Sequence, residues 1–244
     1  MKHAASIMTE YPERRLLYKS ISYSLFGFLL LPYLLSLLNA DQRMEYTDLV
    51  WVDIAYHTLN FGAAAILFAG YLKDAFFQVQ IYTKKVLTHA LVGTILMVVW
   101  ACVMGFVGVF QGNSLIAFGV LPITEIEMMG TAGAMLGYSP AFGAVVNVFL
   151  APFTISCLLY ATVFSTVSGH RPWLAYVAIA VVLAVPRAFA GITFWDKMEM
   201  ATLYAVQLPI HLIACRIYQK TDTIWTPIFA LFGANAVVCA LTLL

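Results

Sequence analysis

Apolar runs of about 20 residues, each long enough to cross roughly 30 Å of hydrocarbon, recur along the chain between short polar stretches. Their limits predict helical spans at 19–38, 50–71, 86–110, 139–168, 172–190, 199–218 and 224–244. The expected fold is all-α, a polytopic transmembrane helix bundle of about seven spans. The fourth run is long and holds Pro152, which predicts a tilt or kink. The stretch 111–138 is apolar although it connects two spans, and it carries Gly112, Gly119, Gly130, Gly133 and Gly137. It is expected to be an outer loop holding a re-entrant or interfacial helix. The chain then divides into an N-terminal segment (1–18), N-terminal transmembrane helices (19–110), the outer segment (111–138) and a transmembrane core (139–244).

Composition strengthens this reading. The 244 residues are 62% hydrophobic and only 10% charged, with a mean hydropathy of +0.88. Soluble domains have about 45–50% apolar residues. Charge placement gives an orientation. With a cytoplasmic N-terminus, Lys2, Arg14, Arg15, Lys19, Lys73, Lys84, Lys85, Arg171, Arg216 and Lys220 fall on the cytoplasmic side, against only Arg43 and Lys197 outside. That bias follows the positive-inside rule and places the C-terminus outside, in a multi-pass protein of the cell membrane. The polar first 18 residues and the lack of a small-residue cleavage site predict a retained first span. No basic run is long enough to follow a phosphate backbone, so nucleic acid is not an expected partner. Cys102, Cys157, Cys215 and Cys239 lie in apolar runs without CxxC spacing and read as packing residues.

Ionisable and amide side chains inside spans are the candidates for function. Asp53, His57 and Asn60 lie at i, i+4 and i+7, on one helical face. They read as a stripe lining a cavity or proton path, or as interhelical hydrogen bonds that fix packing. No second carboxylate or histidine stands at ligand spacing, which favours packing. His211 follows Pro209 and reads as a partner for a carbonyl freed by the kink, or as a ligand. Arg187 is either a structural anchor or a cavity-lining cation. Asn147, Gln207 and Asn235 add neutral amides, and Glu125 and Glu127 sit in the outer segment. No serine–histidine dyad, phosphate-binding glycine loop or zinc-binding helix is present in the sequence.

Three stretches carry a resemblance: "SPAFGAVVNVFLAPFTISCLLYATVF", "WLAYVAIAVVLAVPRA" and "RIYQKTDTIWTPIFALFGANAV". In order and spacing they resemble the membrane core of the CAAX-protease and bacteriocin-processing (CPBP or Abi) family, which includes the type II CAAX prenyl endopeptidases. The likeness covers 139–244. That family uses Glu-Glu-x-x-x-Arg, Phe-x-x-x-His and His-x-x-x-Asn motifs, with a metal proposed in many members. Laid on this chain, the glutamates fall on Ile155 and Ser156, and the arginine on Tyr160. The second motif falls on Leu183 and Arg187, and the third on Leu231 and Asn235. Only Asn235 matches.

The resemblance therefore implies a family framework without its chemistry. Ile155 and Leu231 neither move protons nor hold metal, and an arginine repels a divalent cation. The expectation is a catalytically inactive membrane binding or scaffold protein, with no catalytic residues, metal or cofactor. Its partners would be lipid and a peptide segment or partner transmembrane helix, as in bacteriocin immunity or processing. Two alternatives stay open. One is an intramembrane metalloendopeptidase rebuilt from Glu125, Glu127, His57 or His211; the other is a small transporter component using Asp53, His57 and Asn60. Depth counting along the spans places Ile155, Arg187 and Asn235 in overlapping layers.

Overall fold

The computed structural model describes residues 18, 19, 21–23, 26, 46–110, 140–168, 172–193 and 197–242. Every element among them is helical: α1 (Tyr46–Ile81), α2 (Thr83–Phe110), α3 (140–168), α4 (Pro172–Thr193), α5 (Lys197–Thr221) and α6 (Trp225–Thr242). Glu125, Glu127 and most of the first expected span lie outside the described residues. So do the side chains of Asp53 and Arg187, whose backbones belong to α1 and α4.

The connection expected at 72–85 is not a loop. α1 continues to Ile81, and only Tyr82 separates it from α2. The sequence from Leu72 to Val86 has charges but neither Gly nor Pro. Charge moves a helix out of hydrocarbon without ending it, whereas a backbone breaker ends it. Hydrogen bonds carry across the bend, from Tyr82 N–H to Gln78 C=O (2.9 Å) and from Val86 N–H to Tyr82 C=O (3.0 Å).

α3 is the central helix. In the apolar 18-residue window within Gly143–Ser168, 78% of residues are buried, against 28% in the corresponding window within Thr83–Met104 of α2. These two are the described helices long and apolar enough to cross a membrane. Ring contacts set the register around α3. Phe61 of α1 meets Phe153 with centroids 4.8 Å apart, and Ile54 packs against Val146, so α1 and α3 run parallel. Phe232 of α6 meets Phe149 at 5.2 Å, while Trp225 lies 6.4 Å from Phe153, so α6 runs antiparallel to α3.

The turn between α5 and α6 is anchored to α1. The Thr223 hydroxyl donates to Ala75 C=O (3.0 Å), and the Trp225 indole N–H donates to Leu72 C=O (2.9 Å). Tyr71 and Tyr218 join by their phenols at 3.0 Å. Asp222, with φ 54°, ends α5 in the left-handed conformation that a short polar side chain tolerates. Pro227 then sits in the first turn of α6, where a missing N–H costs no intrahelical bond.

The outward face is apolar. On α2, Leu87, Leu91, Ile95, Val99 and Val103 follow one another at intervals of four, and all are about half exposed. This stripe runs about 24 Å at 1.5 Å per residue. Its inward counterparts Val86, Ala90, Met97 and Ala101 are buried. Cys157, Cys215 and Cys239 are buried and Cys102 is exposed.

α2 and α6 approach through two glycines. A Cβ on Gly93 would stand 2.8 Å from Ile217 Cδ1 and 3.1 Å from Ala230 Cβ; one on Gly233 would meet Thr94 Oγ1 at 2.7 Å. Thr94 cannot swing aside freely, because its hydroxyl donates to Ala230 C=O (3.1 Å). Gly93→Val and Gly233→Val are each expected to cost about 1–3 kcal/mol through overpacking, read as a lower unfolding midpoint in detergent. Gly62→Ala, where the added Cβ meets nothing within 4 Å, is the control and should leave the midpoint unchanged or higher.

Candidate functional site

Two π-helical segments interrupt α3, Val146–Leu150 and Cys157–Phe164, and each carries a buried polar group that reaches another helix. Pro152 accounts for the first. A proline inside a helix lacks an N–H and its ring crowds the carbonyl four residues back; the wider π turn before Pro152 relieves that crowding. The Ala151 N–H is used on Val146 C=O, one residue beyond the α register. The Asn147 carbonyl therefore loses its α-type donor to this shift and its π-type donor to Pro152. Asn235 of α6 fills the gap: its Nδ2 donates to Asn147 C=O at 3.0 Å. Both residues are buried. Since a carbonyl accepts only from the amide nitrogen, this bond fixes which end of the Asn235 amide is oxygen.

α1 brings more polar groups to the same depth. His57 shares a helical face with Ile54 and Phe61, the residues that touch Val146 and Phe153. It thus lies between those contacts, against the segment that contains Asn147. His57 and Asn60 are both buried, as a one-face stripe requires. Asn60 Nδ2 donates to the Tyr56 hydroxyl (3.1 Å), and the Tyr56 and His57 rings meet edge-on with centroids 5.0 Å apart. The Oδ1 atoms of Asn60 and Asn235, and both side-chain polar atoms of Asn147, are buried and receive no hydrogen bond from the protein.

Further along α3, Tyr160 in the second π segment bonds His211 Nδ1 of α5 at 2.6 Å. The histidine was expected to meet a carbonyl freed by Pro209; its ring instead reaches the phenol of a neighbouring helix. α5 runs beside α3 here, as Phe164 and Tyr218 also meet at 5.7 Å. Side chains satisfy the widened backbone, with the hydroxyls of Thr162 and Ser165 donating to the carbonyls of Leu158 and Ala161. Ser156 is buried, and its Oγ has no hydrogen-bond partner.

The positions taken from the family motifs divide between these places. Ile155, Tyr160, Leu183 and Leu231 are buried in one continuous apolar core. Asn235 instead engages Asn147, eight residues before Ile155 and so about 12 Å away along α3. The overlapping layer expected from depth counting does not include Asn235, because the contacts of Phe232 with Phe149 and of Asn235 with Asn147 slide α6 toward the start of α3. His57 and His211 face different parts of α3 and do not meet each other. Among the described residues, no three His, Cys, Asp or Glu side chains gather as a metal site would need. Chemically, the first π segment is surrounded by carboxamides, with the His57 imidazole and Tyr56 phenol on the facing helix, and the second carries a phenol–imidazole pair.

Asn235→Leu strands the Asn147 carbonyl and is expected to cost about 1–3 kcal/mol. Pro152→Ala restores an N–H in reach of that carbonyl, so the Asn235→Leu cost should shrink in the Pro152→Ala background. A double-mutant cycle of unfolding midpoints measures this coupling, and strictly additive costs would break the proposed link. Tyr160→Phe leaves the buried imidazole without its phenol and is expected to cost a similar about 1–3 kcal/mol. Adding His211→Leu to Tyr160→Phe should cost less than the two single changes summed.

Compared with protein-family models, curated proteins and solved structures, the chain matches none of them.

Proposed function

We propose that the chain is a multi-pass protein of the cell membrane, of about seven spans with a cytoplasmic N-terminus, that works by binding and not by hydrolysis. Its solvation pattern supports the membrane part. The α2 stripe from Leu87 to Val103 faces outward while His57, Asn60, Asn147, Gln207, His211 and Asn235 are buried. Soluble monomers rarely expose an apolar face of this extent, whereas intramembrane polar groups turn toward the bundle interior.

The binding part rests on one observation: Ile155 and Leu231, at positions where the resembled CPBP family would hold a glutamate and a histidine, are packed into the core. These side chains cannot activate water. In this reading the protein keeps a CAAX-protease-like framework as a scaffold for a peptide segment or a partner's transmembrane helix, with bacteriocin immunity or peptide processing as its setting. A rebuilt peptidase draws less support, since His57 and His211 serve different parts of α3. A small transporter component is the second reading, favoured by the polar layer of His57, Asn60, Asn147 and Asn235.

Purified protein in liposomes should leave a fluorogenic membrane-embedded peptide intact and carry no stoichiometric zinc by elemental analysis. Reproducible cleavage lost on His211→Ala would replace the proposal with the rebuilt peptidase. Solute flux into the same liposomes, abolished by His57→Ala, would replace it with the transporter. A reporter fused after Leu244 should be active only on the outer side.

A further inference from the structure

We infer that the carboxamide layer of Asn147 and Asn235, extended by Asn60, is an internal hydration site that holds ordered water inside the bundle. The side chain of Asn147 is fully buried, and neither its Oδ1 nor its Nδ2 has a hydrogen-bond partner among the described residues. The Oδ1 atoms of Asn235 and Asn60, each on a residue 1% exposed, are in the same position. Buried polar atoms almost always have a partner. Four without a partner among the described residues, three of them on the Asn147–Asn235 pair at one π turn, call for an occupant that supplies one.

The occupant's chemistry follows from the atoms. Asn235 Oδ1 can only accept, because its Nδ2 is committed to the Asn147 carbonyl. The Asn147 amide presents one donor and one acceptor whichever way it is drawn. A metal cation would serve the oxygens and face the Asn147 NH2 unfavourably; an anion would do the reverse. Water both donates and accepts, and so can serve these atoms together. This inference is independent of whether the chain hydrolyses peptides.

Radiolytic hydroxyl labelling of the full chain in lipid nanodiscs tests it, since bound water forms radicals in place. Val148 and Cys239 pack against each other beside the layer and are nearly inaccessible from outside. In the wild type both should be oxidised at doses that leave the fully buried Cys215 of α5, and Leu158 of the apolar core at 5% exposure like Cys239, unmodified. Equal labelling of Cys215 and Cys239, or none at either, would overturn the site. Asn147→Leu should abolish labelling at Val148 and lower the unfolding midpoint by about 2–4 °C, because the water loses its bridge and Asn235 Oδ1 its partner. A higher midpoint in Asn147→Leu would mean a dry layer and overturn the inference. So would a wild-type midpoint raised by sodium, but not by choline, in an Asn235-dependent way.

Discussion

A single backbone carbonyl organises the interior of this protein. In an apolar core a C=O without a donor is costly, and Asn147 is fully buried. Pro152 denies one possible donor to Asn147 and the π turn diverts another, to Val146. The solution comes from another helix, with the Asn235 amide at 3.0 Å. That bond fixes the height of α6 against α3, and Phe232 on Phe149 repeats the same register three residues earlier on α6. The arrangement ties together the central helix and the last one, which are far apart in sequence.

The rest of the bundle follows a related rule. Where α3 widens a second time, hydroxyls from Thr162 and Ser165 take up carbonyls locally, and the inward-pointing Tyr160 finds His211 on α5. Between these two polar places the core is apolar, with Ile155, Leu158 and Leu159 buried on α3. Polar pairs in an apolar interior give little net energy each, yet they strongly penalise wrong registers. Apolar side chains alone would tolerate a helix sliding by one turn. Paired amides, phenols and imidazoles would not.

Helical runs were legible because hydropathy over about 20 residues is a local property. The limits of α3, α4, α5 and α6 fall within a few residues of those expected from their apolar runs. The end of α1 lies beyond its apolar run of 50–71, because charged and polar residues end an apolar run but no Gly or Pro ends the helix between Leu72 and Ile81. The partners of Asn235 and His211 were not legible at all. Each depends on the height of one helix against another, which no window of sequence contains. One local clue was present: Asn147 stands five residues before Pro152, so its carbonyl was the one a π turn would leave without a donor. Tyr56, which holds Asn60, carried no such signal.

The one match that Asn235 makes to the motifs of the resembled family has a physical explanation that needs no catalysis. An acid, a base or a metal ligand serves chemistry, so once chemistry is no longer required its replacement by a packing residue relieves the cost of burying charge. An asparagine that also satisfies a backbone carbonyl is different. Its removal exposes no substrate and ends no reaction, but it leaves the Asn147 carbonyl unpaired in the core for as long as Pro152 remains in α3. Apolar replacement of Asn235 alone is therefore disfavoured by the fold itself, whatever the protein binds. The match of Asn235 to the resembled family's motif therefore reflects the demands of the backbone, and carries no information about peptidase activity.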